Sequence, residues 1–336
     1  MGLAEKLREI GSLVEPLLER YLSEDASEEF REVVLHQVRT GGKRLRPALT
    51  VLSCEACGGK AEDALPAAAA IELVHNYSLI FDDIIDRGEV RRGLPTTYKA
   101  FGEAMAILAA VHYREAVSEA LNETNDPLRL HKLFSKAIKK LVEGERLDIL
   151  FERAGREDEY IVRRRYSEVT LEDYLKMIEC KTSSLMEAAC AAGAIVAKAP
   201  EHVVRALAEY GRNLGIAFQI ADDILDVFGE EDKFGKKIGK DIMEHKLGNI
   251  VVLLGLKRGG VKERERLLGL LSKGRISEHE VKGAIEILSS LGIRDEAYKY
   301  GSSFVGRAKE ALRVLPPSEA KEMLMELADF SLRRCY

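Results

Sequence analysis

The pattern Asp-Asp-x-x-Asp occurs twice, in IFDDIIDRG at residues 80–88 and in IADDILDVFG at 220–229, each time inside a run of large apolar side chains. Burying a carboxylate is costly unless it is paired or bound to a cation, so neither run reads as ordinary core. On a helix Asp82 and Asp86 lie one turn apart on one face with Asp83 beside them, and Asp222, Asp223 and Asp226 repeat that arrangement. His75 falls two turns before Asp82 on the same face, and Gln219 about one turn before Asp222 and Asp223. One triplet alone would read best as a solvated acidic face. Two of them, set among Ile, Leu and Phe, are poorly explained that way. Six carboxylates facing one another would repel unless cations sat between them. Hard oxygen donors suit Mg2+, which also shares its coordination with substrate phosphates. The Glu-x-x-His pairs of a di-iron bundle and the Gly-containing loop of an EF-hand are not apparent.

Helical periodicity dominates the rest of the chain, and no convincing alternating strand is found. Ser277 with Glu280, flanked by Ile276 and Val281, forms a capping box with its staple. Thr170 with Asp173 opens a helix expected to run through LKMIECKTSSLMEAACAAGAIVA, and Pro316-Pro317-Ser318 precedes a final amphipathic helix. The loops NETNDP (122–127), RAGREDEY (153–160), GEEDKFGKKIG (229–239) and LKRGG (256–260) are too short for linkers, so residues 1–336 read as one all-α domain of roughly a dozen helices. The run AACAAGAIVA at 188–197 is too short to span a bilayer, and the charged N-terminal stretch MGLAEKLREI has no secretory character. Neither a myristoylation nor a prenylation motif is complete, and a cytoplasmic protein is the expectation. Cys54 and Cys57 form a CxxC with no second pair to complete a zinc site, and on a helix they pack one turn apart. With 51 basic against 56 acidic residues, the balance gives no argument for nucleic acid as a partner.

Basic residues supply the other half of the pattern. GGKRLRP at 41–47 places Lys43, Arg44 and Arg46 between two glycines and Pro47. Arg91 and Arg92 follow the first triplet, Lys181 and Thr182 interrupt an apolar helix, and Lys236, Lys237, Lys240 and Lys246 follow the second triplet. Metal-binding carboxylates together with several anion-binding groups suggest two diphosphates in one helical cavity.

The ordered set GGKRLRP, HNYSLIFDDIIDRGEVRRG, KTSSL and FQIADDILDVFGEEDKFGKKIGKDIMEHK closely resembles the trans-isoprenyl diphosphate synthases of the farnesyl and geranylgeranyl type, and LADFSLRRCY resembles their C-terminal end. The resemblance implies an isoprenoid-synthase-type all-α bundle around a deep central apolar cavity, usually a homodimer. It implies head-to-tail condensation of isopentenyl diphosphate with an allylic diphosphate. Asp82, Asp86 and Asp222 would hold three Mg2+ ions against the allylic diphosphate, with Asp83, Asp223 and Asp226 as further ligands or their supports. Arg91, Lys181, Lys236 and Lys246 would grip that diphosphate, while Gly42, Lys43, Arg46, His75 and Arg92 would receive isopentenyl diphosphate. Thr182 and Gln219 would direct oxygens toward the allylic cation.

In this family an aromatic at the fifth position before the first triplet shortens the product. Tyr77 occupies that place, next to Ser78, and the triplet lacks a two-residue insertion found in many short-chain bacterial enzymes. By resemblance to archaeal-type enzymes, geranylgeranyl (C20) diphosphate is the expected product and farnesyl (C15) the alternative. Tyr77 lies roughly 7 to 8 Å along the helix axis from Asp82, but an ideal wheel turns it off the aspartate face, so a kink or a neighbouring helix is required. Val111, Glu145, His245, Gly248 and the charged segment 153–165 depart from the family pattern. A non-catalytic partner subunit would tend to lose aspartates from one triplet. A class I terpene cyclase would leave GGKRLRP and the Arg91-Arg92 pair unexplained. A non-enzymatic metal-binding bundle would leave the whole basic set unexplained.

Overall fold

A computed structural model of the chain describes residues 2–229 and 238–333. Lys236, expected at the diphosphate, lies outside the described residues. The chain divides into two compact units, one made of 1–138, 185–211 and 311–326, the other of 139–184, 212–310 and 327–336.

The first unit begins with α1 (Leu3–Ser12), α2 (Glu15–Ser23), α3 (Glu28–Arg39) and α4 (Leu45–Ala56), followed by the long α5 (Ala61–Ile85). A two-stranded ribbon, β1 (Val90–Arg91) and β2 (Leu94–Pro95), leads into α6 (Thr97–Phe101) and α7 (Glu103–Asn122). Helix α5 is apolar on every side, the signature of a helix at the centre of a core rather than on its surface. Ala67 to Ile71, Leu73 and Val74 are fully buried, packed by α4 and α7. By length and composition α5, rather than the shorter run at 188–197, could cross a membrane, but 67% of its apolar window is buried within the protein. Cys54 and Cys57 sit at the end of α4 as expected. Burial pushes their thiols up to about 12 and about 11, which keeps them protonated and unreactive.

The second unit takes the later part of α8 (Pro127–Leu150), then α9 (Glu159–Arg164) and α10 (Leu171–Ile178). Most of α12 (Glu201–Phe228) follows, with α13 (Lys240–Met243), α14 (Ile250–Arg258), α15 (Val261–Leu271), α16 (Glu278–Ser290) and α17 (Ile293–Ala311). Its core joins Phe151, Tyr174, Ile178, Ile220, Ile224 and Leu254. The expected capping box of Ser277 and Glu280 opens α16, and Thr170, expected to start a helix, forms a capping box with Asp173 at the head of α10. The long helix expected after Thr170 is instead interrupted by a π-helical turn at Glu179–Ser183 before α11 (Ser184–Val196) continues. Helices outnumber the expected dozen because several, such as α6 and α13, are single turns.

Within the first unit α11 meets α4 almost backbone to backbone. A Cβ on Gly193 would lie 2.2 Å from the Thr50 carbonyl oxygen and 2.8 Å from the Cys54 nitrogen. Gly193→Ala is therefore expected to destabilise the protein by about 1–3 kcal/mol, as overpacking does, measured as a lower urea midpoint. An unchanged midpoint would show that the two helices can separate without cost.

Candidate active site

In the first unit the GGKRLRP segment is the connection from α3 into α4. Gly41 and Gly42 have φ of +79° and +151°, and a Cβ on Gly42 would lie 2.9 Å from Nη1 of Arg92. Only glycine allows that guanidinium to rest on the loop backbone. Lys43 is exposed and Arg46 is half-buried in the first turn of α4. The Arg92-Gly93 pair has φ of +54° and +81°, the requirement of a two-residue type I′ hairpin, and this turn closes the β1–β2 ribbon. Thr96 ties the base of the ribbon, donating from Oγ1 to the Gly88 carbonyl at 2.7 Å. The expectation of no strand is corrected here: two residues per strand are too few to show alternation, and the turn carries the signal.

The ribbon sends its two arginines in different directions. Arg91 forks onto Asp83, donating from Nε to Oδ2 at 2.9 Å and from Nη2 to Oδ1 at 2.8 Å. Asp83 is buried, whereas Asp82 is half-buried and Asp86 exposed at the end of α5. Burial and the charges of Arg46, Arg92, Arg91 and Arg44 hold the His75 pKa well below its usual value, so at neutral pH His75 is an uncharged hydrogen-bonding group. Partial burial, with Arg44 and Arg91 nearby, also lowers the Arg92 pKa. The surroundings of His75 are thus rich in positive charge. Tyr77 is buried, its ring edge-on to Phe81 at 6.2 Å. Burial raises its pKa and the nearby Arg114 charge opposes the rise; α7, which carries Arg114, packs against α5. Ser78 donates to the His75 carbonyl at 2.9 Å.

In the second unit the π-helical turn carries Lys181 and Thr182. Gly144 of α8 permits it, since a Cβ there would lie 2.2 Å from the Lys181 nitrogen. Such turns recur at functional sites because they reaim adjacent side chains. Lys181 Nζ donates to Asp148 Oδ2 at 2.6 Å and pairs with Glu145 Oε2 at 2.7 Å. Lys246 Nζ donates to the same Asp148 oxygen at 3.2 Å. A bridge between Glu152 and Lys246 holds that segment beside the end of α8. Burial alone would raise the Asp148 pKa, but Lys181 and Lys246 outweigh it and hold this carboxyl well below the usual range.

Thr182 Oγ1 donates to Gln219 Oε1 at 2.8 Å, and Gln219 Nε2 donates to Asp223 Oδ1 at 3.0 Å. Asp223 Oδ2 accepts from Tyr174 Oη at 2.8 Å and from the Ile250 nitrogen at 3.0 Å. Burial and the Asp241 charge raise the Asp223 pKa, while these donors oppose the rise. Asp226 accepts from the backbone nitrogens of Lys240 and Asp241, and burial together with the Asp241 charge pushes its pKa up to about 7. Asp222 is exposed.

Each triplet therefore separates by position. The middle aspartates, Asp83 and Asp223, are buried, and both oxygens of each accept hydrogen bonds from protein donors. Asp82, Asp86 and Asp222 reach solvent with all-oxygen donor sets that fit a hard divalent cation. Among the described residues, no three His, Cys, Asp or Glu side chains make a cation cage by themselves. Sequence reasoning missed Asp148, Tyr174, Glu15 and Glu72, all single acidic or aromatic residues in helices with no local motif. Asp148 stands three residues from Glu145, Glu72 three from His75 and Tyr174 next to Asp173, but none of those neighbours marks them as partners of a buried charge.

A polyprenyl synthetase family profile matches residues 27–288. The chain is 38% identical over 337 residues to a short chain isoprenyl diphosphate synthase of Methanothermobacter thermautotrophicus, with 99% of each chain covered. It is 37% identical over 340 residues to a geranylgeranyl diphosphate synthase of Methanosarcina mazei, covering 100% of this chain and 99% of the other. The crystal structure of a geranylgeranyl pyrophosphate synthetase from Pyrococcus horikoshii superposes with a TM-score of 0.89 at 35% identity, over 99% of this chain and 98% of that one. With its solvent-reaching aspartates, its clustered arginines and its all-α isoprenoid synthase fold, the chain belongs to the polyprenyl synthetase family.

Proposed function

We propose that residues 1–336 work as one prenyltransferase domain that condenses isopentenyl diphosphate head-to-tail with an allylic diphosphate, giving geranylgeranyl diphosphate. The observation that carries this reading is the seating of the Arg92 guanidinium on the Gly42 backbone, where a Cβ would lie 2.9 Å from its Nη1, which brings Arg92 to the loop that carries Lys43 and Arg46. An anion is the natural complement of such a group. Family membership supplies the reaction class.

Asp82, Asp86 and Asp222 are proposed to hold Mg2+, three ions in all, with Asp226 as a further ligand. Asp83 and Asp223 act behind them, Asp83 by orienting Arg91 and Asp223 by orienting Gln219 and the start of α14. Bound Mg2+ would neutralise the allylic diphosphate and make it a better leaving group. Lys181, Lys246 and Arg91, with Lys236, take its outer oxygens as the C–O bond breaks. Gly42, Lys43, Arg46, His75 and Arg92 receive the diphosphate of isopentenyl diphosphate, with His75 as a neutral hydrogen-bonding group. Gln219 spends its amide N–H on Asp223, which fixes its oxygen toward Thr182. Both side chains can then direct lone pairs at the allylic cation. Apolar residues beside the aspartates exclude the water that would capture it. The double bond of isopentenyl diphosphate forms the new C–C bond, and the proton it loses passes to the departing diphosphate.

A homodimer fits the stripe of Met105, Ile107, Leu108 and Val111 on α7, which is 36% to 52% exposed in the single chain. Val111, one of the departures from the family pattern, belongs to this stripe, where a second copy would cover it. A cytoplasmic location accords with two water-soluble substrates.

Incubation with labelled isopentenyl diphosphate, Mg2+ and dimethylallyl, geranyl or farnesyl diphosphate in turn is expected to give a product that stops at C20, and chelation of the metal to abolish it. Tyr77→Ser is expected to lengthen that product. Tyr77→Phe should preserve both length and stability, because the Tyr77 hydroxyl is buried without a hydrogen-bond partner among the described residues. No extension with any primer would sink the synthase reading, and an unchanged length in Tyr77→Ser would remove Tyr77 as the pocket floor.

Glu145 gives a second test. Its carboxylate shares Lys181 with Asp148 and so competes with a bound diphosphate. Glu145→Gln is expected to lower the KM for the allylic diphosphate about threefold with kcat little changed, the scale of one partly exposed ion pair. A raised KM would mean that Glu145 orients Lys181 rather than competing for it.

A further inference from the structure

The three cations of GGKRLRP are not equivalent. Lys43 is exposed and Arg46 half-buried, but the Arg44 side chain is only 2% exposed. Arg44 also stands at φ +47°, in the left-handed region, at the point where the loop becomes α4. Few residues other than glycine adopt that conformation unless their surroundings impose it.

The surroundings do impose it. A guanidinium has five N–H donors, and here each has an acceptor within the protein. Nε donates to Glu15 Oε1 at 2.6 Å, Nη1 to Glu72 Oε1 at 2.8 Å and the Gly41 carbonyl at 3.5 Å, and Nη2 to the Val38 carbonyl at 2.9 Å and Glu15 Oε2 at 3.3 Å. Glu72 is itself buried and fixed by Asn76, whose Nδ2 donates to it at 3.1 Å. From the other side α1 presses on the Arg44 backbone, where a Cβ on Gly11 would lie 2.3 Å from its carbonyl oxygen. Arg44 therefore has no donor left for a substrate, and α1, α2, α3 and α5 all act on it.

We propose that Arg44 is the positioning residue of the isopentenyl diphosphate site. Clamped by Glu15 and Glu72 in the left-handed conformation, it sets Gly42 and Lys43 on one side and Arg46 on the other at the places that receive the diphosphate. The inference rests on the function proposed above. It makes Glu15 and Glu72 specificity residues for one substrate of the two, because neither touches the groups assigned to the allylic diphosphate.

The test uses the full-length protein and its Glu72→Gln, Glu15→Gln and Arg44→Lys variants. Isopentenyl diphosphate binding is measured by calorimetry, and KM for each substrate and kcat by product assay. Glu72→Gln is expected to weaken isopentenyl diphosphate binding and raise its KM about tenfold, the scale of a misplaced binding loop. The KM for the allylic diphosphate and kcat should stay within about twofold of wild type. Glu15→Gln should show the same split more weakly, since its carboxylate is 45% exposed. Arg44→Lys, which keeps the charge but not the five-donor fork, should resemble Glu72→Gln rather than wild type. If Glu72→Gln does not fold, Glu15→Gln carries the test. Unchanged isopentenyl diphosphate binding in the folded variants, or both KM values moving together, would overturn the proposal. A wild-type protein that neither binds nor extends isopentenyl diphosphate would instead overturn the functional reading beneath it.

Discussion

Buried charge has to be answered inside the protein, and that requirement organises each of the two units. Asp83 is answered by the fork of Arg91, Asp223 by Tyr174, Gln219 and the Ile250 nitrogen, Asp148 by Lys181 and Lys246, and Arg44 by Glu15 and Glu72. Breaking such a pair leaves a desolvated charge without compensation, which costs far more than the pair contributes to stability when intact. The pairs therefore fix position more than they add stability. Each one fixes a neighbouring stretch of chain: Asp83 lies beside Asp82, Asp223 holds Gln219, and Arg44 follows Lys43.

The same logic explains why the alternation Asp-Asp-x-x-Asp is built as it is. The first and last positions of the first triplet lie on the side that reaches water, and the middle one turns inward. An inward carboxylate next to an outward one lets the protein anchor the helix end by its own donors, as Arg91 does at Asp83. The residues of this run differ in burial, Ile80 and Asp83 being buried and Phe81, Asp82, Ile84 and Ile85 partly exposed, which is why SLIFDDII looks contradictory when read only as core or only as surface.

Much of this was legible in the chain. The all-α class, the capping boxes at Thr170 and Ser277 and the glycine-bounded loop at 41–47 follow from local chemistry, in which a cap or a positive φ is written within a few residues. The π-helical turn at Glu179–Ser183 was not legible, because it depends on Gly144 meeting the Lys181 backbone from a distant helix. The ribbon at 90–95 was missed because its strands are shorter than the period that would reveal them. Composition alone groups Arg44 with Lys43 and Arg46, and the family resemblance leaves it out of the isopentenyl diphosphate set without giving it a role. Its partners lie 29 and 28 residues away, and only their convergence separates a structural arginine from a substrate-binding one.

The central claim is that this chain holds two diphosphates at once by different means, carboxylate-bound metal for one and the Lys43, Arg46, His75 and Arg92 group for the other. Calorimetric titration of the wild-type protein with isopentenyl diphosphate and with an unreactive allylic thiodiphosphate, each with and without Mg2+, tests it most directly. The expected result is additive binding of the two ligands, with the allylic analogue lost on chelation and isopentenyl diphosphate retained. Competition between the two for a single site, or loss of both on removal of Mg2+, would contradict it.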